Sequence, residues 1–274
     1  LCRSSAASDV YKRQGLLIID EEQRFGVAHK EKLKKLRHEV HVLTLTATPI
    51  PRTLNLAMSG LKELSIISTP PKSRLSVKTY LSPHDNEIIR EAVLNECKRG
   101  GQVFFLHNRI ASIQERFAEL KEILPQIRMD YAHGQMHEKS LEEKMLNFYQ
   151  GKTQLLLVTS IIESGLDVPN ANTLIVERAD TFGLAQLYQI RGRVGRSSRK
   201  AYAYFLTPKG KISTKAAQER LRVLESYQEL GSGFHIASHD LDLRGAGNFL
   251  GAEQSGHINK LGFDAYMDLL QQSI

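Results

Sequence analysis

Residues 16–23 read LLIIDEEQ, four apolar residues running straight into carboxylates. On a rigid buried strand, such an arrangement can aim one carboxylate at Mg²⁺ through its waters while the next polarises an attacking water. The same residues also describe a plain acidic turn closing a buried strand. Three further segments share this character. Leu45-Thr46-Ala47-Thr48-Pro49 places small hydroxyl residues after a second apolar run, and Val158 to Asp167 (VTSIIESGLD) does so again. Gln189 to Arg196 reads QIRGRVGR, with arginines at 191, 193 and 196 relieved by glycines. Its three guanidinium groups can point at a multiply charged anion, where permanent positive charge stabilises phosphoryl transfer. Alone, that segment also fits a solvated basic turn, the weaker of the two readings. The four segments in this order point to nucleotide hydrolysis.

The elements that must hold these residues alternate along the chain. Short apolar runs at 16–20, 42–46, 78–81, 102–106, 129–132, 154–159, 173–177 and 201–206 predict strands. Helical patterns fall between them at 28–39, 86–99, 110–124, 138–149 and 184–190. Runs such as LLLV at 155–158 are apolar on consecutive positions, as in a parallel sheet covered on both faces. The expectation is an α/β fold with a doubly wound parallel sheet, whose ligands lie at the carboxyl ends of the strands.

Thr69-Pro70-Pro71-Lys72-Ser73 interrupts this pattern with adjacent prolines and suggests a boundary. Residues 15–68 hold too few strands for a complete domain and are expected to form the C-terminal part of one. Residues 69–208 are expected to form a complete second domain, and 209–274 an appended helical module. Residues 1–14, LCRSSAASDVYKRQ, follow neither period and are expected to be a non-native scar. They contain three positive charges and one negative, so the remainder of a chain of net charge +7 is still mildly basic. That balance is compatible with nucleic acid without requiring it. Two cysteines, Cys2 and Cys97, argue against a disulfide framework, and no apolar run has the length of a membrane span. A cytoplasmic, non-membrane protein is expected.

Taken together, DEEQ, TAT, VTSIIESGLD and QIRGRVGR resemble motifs II, III, V and VI of superfamily 2 helicase motors, over essentially residues 15–274. The resemblance implies RecA-like doubly wound sheets, a partial first motor domain and a complete second, with ATP clamped between them. It implies Asp20 as the ligand of Mg²⁺ through water and Glu21 as the group that activates water. Arg193 and Arg196 would reach the γ-phosphate from the second domain. Gln23, Gly165, Asp167 and Gln189 fall on nucleotide-binding positions, Asp167 also helping to couple nucleotide to DNA. Thr46, Thr48 and Thr159 would link hydrolysis to movement.

The tail narrows the resemblance. Residues 233–247, GFHIASHDLDLRGAG, continuing to GAEQSG at 251–256, resemble the translocation motif shared by the fork-reversing helicase RecG and the transcription-repair coupling factors. Arg244 and Gln254 fall on its functional arginine and glutamine, in a helical hairpin and loop that turn domain closure into steps along duplex DNA. DEEQRFGV, GGQVFFLHNRI and RGAGNFLGAEQSG look like the coupling-factor family rather than RecG; Ile190 and Asn248 are mild departures. Membership implies ATP and Mg²⁺ as cofactors and double-stranded DNA as partner. It also implies RNA polymerase and nucleotide-excision repair proteins, met through regions outside this chain. The alternatives are a RecG-like fork remodeller and a non-enzymatic DNA-binding module on a helicase fold.

Two patterns resemble sites without fitting them. Gly151-Lys152-Thr153 suggests a phosphate loop, but Leu146 stands where the first glycine belongs and a strand follows instead of a helix. His133 and His137 are four apart, but Gly134 separates them and no third ligand is evident. The spacing predicts a strand-end loop, and the helicase resemblance implies that it faces nucleic acid. The phosphate loop itself is expected upstream of Gly15. The chain on its own is therefore predicted not to hydrolyse ATP at a DNA-stimulated rate, and robust DNA-dependent phosphate release from the purified chain would refute this.

Overall fold

The computed structural model describes residues 15–21, 40–46, 65–67, 69, 74–159, 168–210 and 214–244, with side chains as far as Asp240. Strands β1 (Leu16–Asp20) and β2 (His41–Leu45) pair in parallel, Leu16 beside His41 and Asp20 beside Leu45. A second sheet contains β3 (Val77–Pro83), β4 (Gln102–Leu106), β5 (Met129–Ala132), β6 (Leu155–Val158), β7 (Ala171–Val176) and β8 (Ala201–Thr207). Its order is β3-β8-β7-β4-β6-β5, with every pairing parallel. Between and after these strands run α1 (Asn86–Lys98), α2 (Ile113–Ile123), α3 (Glu138–Tyr149), α4 (Leu184–Arg191), α5 (Lys215–Ser226) and α6 (Gly233–Arg244).

Successive side chains of a strand point to opposite faces, so a strand apolar throughout needs cover on both. Phe104 and Leu106 of β4, with Leu156, Val158, Leu174 and Val176, pack under Phe148 of α3, Leu184 and Leu187 of α4, Leu224 of α5 and Ile236 of α6. Their neighbours Val103, Phe105, Leu155, Leu157 and Ile175 face the other way, onto Ile89 and Val93 of α1 and Ile113 and Leu120 of α2. The sheet is doubly wound, as its apolar runs predict. Two helix starts carry side-chain caps: before α1, Asp85 accepts from the Glu87 N–H at 2.9 Å, and before α5, Thr214 accepts from that of Ala217 at 3.1 Å.

Element edges differ from the sequence pattern where tertiary contacts intervene. The helix predicted over 110–124 opens instead as a 3₁₀ turn, Ile110–Ser112, because the Ser112 hydroxyl is drawn to His107 Nε2 at 2.9 Å. Strand β3 runs past the predicted 78–81 because it follows β8 in register from Val77–Ala201 to Pro83–Thr207. Pro83 is accepted since β3 is an edge strand. The helix predicted over 28–39 lies outside the described residues.

Phe148 is fully buried, its ring 4.8 Å from that of Phe104. Phe148→Ala is expected to lower unfolding free energy by about 3–5 kcal/mol. Tyr149→Ala, next door but 53% exposed, should change it little in the same urea titration.

Candidate functional site

In a parallel α/β sheet all strands end on the same edge, and the loops leaving that edge are where ligands meet the protein. Glu21 follows β1 directly and has φ 50°, in the left-handed region that non-glycine residues avoid. Its N–H donates to Leu45 O at 2.9 Å, and its Oε2 accepts from the Thr46 hydroxyl at 3.1 Å. The carboxylate after β1 and the hydroxyl after β2 are thus brought together, as their places at the ends of paired strands require. Asp20, the last residue of β1, is exposed beside them. A strained backbone held by contacts on both sides is characteristic of functional positions. Gln23 and Thr48 lie outside the described residues.

In the larger sheet, Thr159 follows β6 and is buried. Gly165 and Asp167, expected just beyond it, lie outside the described residues, as does Gln254. Gln189 is half-buried on α4. The loop after α4 carries Arg193, whose N–H donates to Ile190 O at 3.1 Å, and Arg196, whose Nε donates to Gly192 O at 3.4 Å. Gly195 has φ 72°, and a Cβ there would sit 2.9 Å from Val77 Cγ2 and 3.0 Å from Ala201 Cβ. Its carbonyl accepts from Arg74 Nε at 3.2 Å. The backbone between the two arginines is therefore pinned to β3 and β8. Arg244 ends α6.

Arg191 departs from expectation. Instead of facing an anion with the other two arginines, it is 4% exposed and turned inward. It donates to Leu224 O at 2.9 Å, Tyr227 O at 2.6 Å and Thr79 Oγ1 at 3.3 Å. As the last residue of α4 it falls on the core side of that helix, where Leu187 and Ile190 are also buried. Burial pushes its pKa down to about 10, so it stays charged at neutral pH.

A polar cluster escaped the sequence reading. The ends of β4 and β7 and the loops after β3 and β8 border a cleft of about 540 Å³. At its base the buried Glu177 meets Arg116 Nη2 at 2.6 Å, His107 Nδ1 at 2.8 Å and His84 Nδ1 at 3.5 Å. A buried carboxylate needs such partners, since an unpaired charge would be costly. Arg178, at φ 49°, stands at the rim. His107 and Glu177 are 70 residues apart, so no local pattern announces them. The two deceptive patterns are plain turns. Gly151, φ 74°, lies between α3 and β6 with Lys152 N–H on Asn147 O at 2.9 Å. The His133 carbonyl accepts from Met136 N–H at 3.1 Å, and His137 precedes α3 in extended conformation.

Residues 85–198 match the helicase conserved C-terminal domain. The chain is 56% identical to a transcription-repair-coupling factor of Myxococcus xanthus over 96% of its own length and 22% of that protein's. A Haemophilus influenzae relative of the same name is also 56% identical, over 97% of this chain and 23% of its own. A solved RecG bound to a three-way DNA junction superposes with a TM-score of 0.67 at 35% identity, covering 91% of this chain and 34% of RecG. A parallel, doubly wound sheet with an arginine loop at its edge and these likenesses define a RecA-like helicase domain of the C-terminal type. Within that class, the chain belongs to the transcription-repair-coupling factor family, of whose matched members it spans under a quarter of the length.

Gly195→Ala combines a left-handed backbone with two side-chain collisions and is expected to cost about 2–4 kcal/mol. Gly151→Ala, equally left-handed at φ 74° but with nothing within 4 Å, should cost only about 1–2 kcal/mol. Denaturant unfolding of both variants checks the difference.

Proposed function

We propose that the chain supplies the motor segment of an ATP-driven translocase on double-stranded DNA that works as a transcription-repair coupling factor. In this reading residues 15–68 belong to the first RecA-like domain, 69–208 form the second, and 209–274 the translocation module. What carries it is the join between the Arg193/Arg196 loop and the helices leading to Arg244: α4, which ends at Arg191 just before that loop, packs with Leu224 of α5 and Ile236 of α6, and Arg191 hydrogen-bonds the end of α5. The greater identity to coupling factors, 56% against 35% for RecG, favours this role over fork remodelling.

The residues present suit ATP and Mg²⁺. The exposed Asp20 carboxylate can hold the cation through its waters, where Mg²⁺ neutralises phosphate charge. Glu21, oriented by Thr46, accepts a proton from the attacking water. The water oxygen bonds to the γ-phosphorus as the bond to the ADP oxygen breaks. Arg193 and Arg196 stabilise the charge that spreads over the transferred group. Their loop then passes the change in domain position to α5 and α6, and through Arg244 and Gln254 to the duplex. In the cytoplasm, the whole protein would push a stalled RNA polymerase off its template and promote excision repair through regions beyond this segment.

The test runs triplex displacement from duplex DNA beside phosphate release on full-length protein. Arg196→Ala should slow both by roughly three orders of magnitude, the scale of an arginine finger. Arg244→Ala or Gln254→Ala should abolish displacement and leave hydrolysis substantial. If hydrolysis falls equally in these two, the tail supports the fold or the nucleotide chemistry and the coupling assignment is wrong.

A further inference from the structure

We propose that Arg191 is a positioning residue that ties the phosphate-facing loop to α6 through Tyr227, so that loop movement is transmitted to the helical module. This rests on the translocase reading and names the contact by which that motor would be coupled.

The geometry begins at the end of α4. Arg191 is the last residue of that helix, two residues before Arg193 and five before Arg196. Its Nη1 reaches Leu224 O in the last turn of α5, at 2.9 Å, and its Nη2 reaches Tyr227 O, just beyond that helix, at 2.6 Å. The final carbonyls of a helix have no intrahelical donor and carry its negative dipole end, so a cation there satisfies both needs. The guanidinium lies 5.1 Å from the Tyr188 ring centroid. These partners are neutral, and the charge is held by carbonyl dipoles, a hydroxyl and a ring.

Tyr227 faces both ways. Its carbonyl takes Arg191, while its ring stacks on His235 at 5.8 Å and 9° and its hydroxyl meets His239 Nε2 at 3.0 Å. Both histidines belong to α6, which runs on to Arg244. The neighbouring Gln228 anchors the same turn to the sheet: its Oε1 accepts from Thr79 N–H at 3.1 Å, and its Nε2 donates to Thr79 O at 3.4 Å. Thr79 is also the hydroxyl that Arg191 reaches. Loop, edge strand and helical pair thus meet around one guanidinium fork. A lysine keeps the charge but cannot span both carbonyls in one plane.

The experiment uses full-length protein, measuring ATP consumed per triplex displaced, with thermal unfolding recorded for each variant. Arg191→Lys should keep DNA-stimulated hydrolysis within about threefold of the parent and raise ATP per displacement at least about tenfold. Tyr227→Phe, which loses only the hydroxyl on His239, should raise it by about two- to fivefold. The double variant should be no worse than Arg191→Lys alone, because two steps of one path are not additive. A clamp serving stability alone would lower hydrolysis and displacement in proportion and leave the ratio unmoved. That result, or additive losses in the double variant, overturns the inference while leaving the translocase reading intact. If Arg191→Lys does not fold, an unchanged ratio in Tyr227→Phe is enough to overturn it. A parent protein that hydrolyses ATP without displacing triplex overturns the translocase reading itself.

Discussion

Strands β4, β6 and β7 carry apolar runs on consecutive residues, 103–106, 155–158 and 174–176, and both their faces are buried, one under α3 to α6 and the other under α1 and α2. Inside such a layer a backbone N–H or C=O has no water to turn to, so the ladder between strands is obligatory and its register is stiff. All six strands run in one direction, which puts every departing loop on one edge. Thr159, Glu177 and the residues around His107 owe their proximity to this constraint, not to nearness along the chain. Slipping one strand by a residue would invert its faces and scatter that edge.

The arginines of QIRGRVGR show how burial divides one residue type into different tasks. Arg191 is within the core and completes the end of α5. Arg193 and Arg196 are half-buried on a loop that Gly195 and Arg74 hold against β3 and β8. Rigidity here is a chemical asset. In the proposed function these cations would stabilise a transition state, and a pinned loop would hold them there without reorganisation. In the proposed reading the same pinning makes the loop a lever, because a shift of the loop displaces what it is bonded to.

The pairing of Glu21 with Thr46 applies the same logic on the smaller sheet. Parallel pairing of β1 with β2 leaves Asp20 opposite Leu45, so the residues just past both ends are adjacent. The left-handed turn at Glu21 then aims its carboxylate at the hydroxyl. Strain of this kind persists only when surrounding bonds over-determine it, here a backbone bond and a side-chain bond.

Local rules were enough to read much of this protein from its residues. Alternation of apolar runs with helical patterns specified a doubly wound parallel sheet, and β1, β4, β5 and α3 begin and end where the pattern places them. Carboxylates after one strand, hydroxyls after the next and arginines after α4 were legible because strand period and turn chemistry are short-range properties. The base of the cleft was not, since Glu177 finds His107, Arg116 and His84 only once β4, β7 and α2 are stacked. Nor was the inward turn of Arg191. Spacing put it in one row with Arg193 and Arg196, but which face of α4 meets the core is decided by packing against α5 and α6, elements that come later in the chain. Charge and motif are written residue by residue; the carbonyls that receive a buried cation exist as a site only after the helices have met.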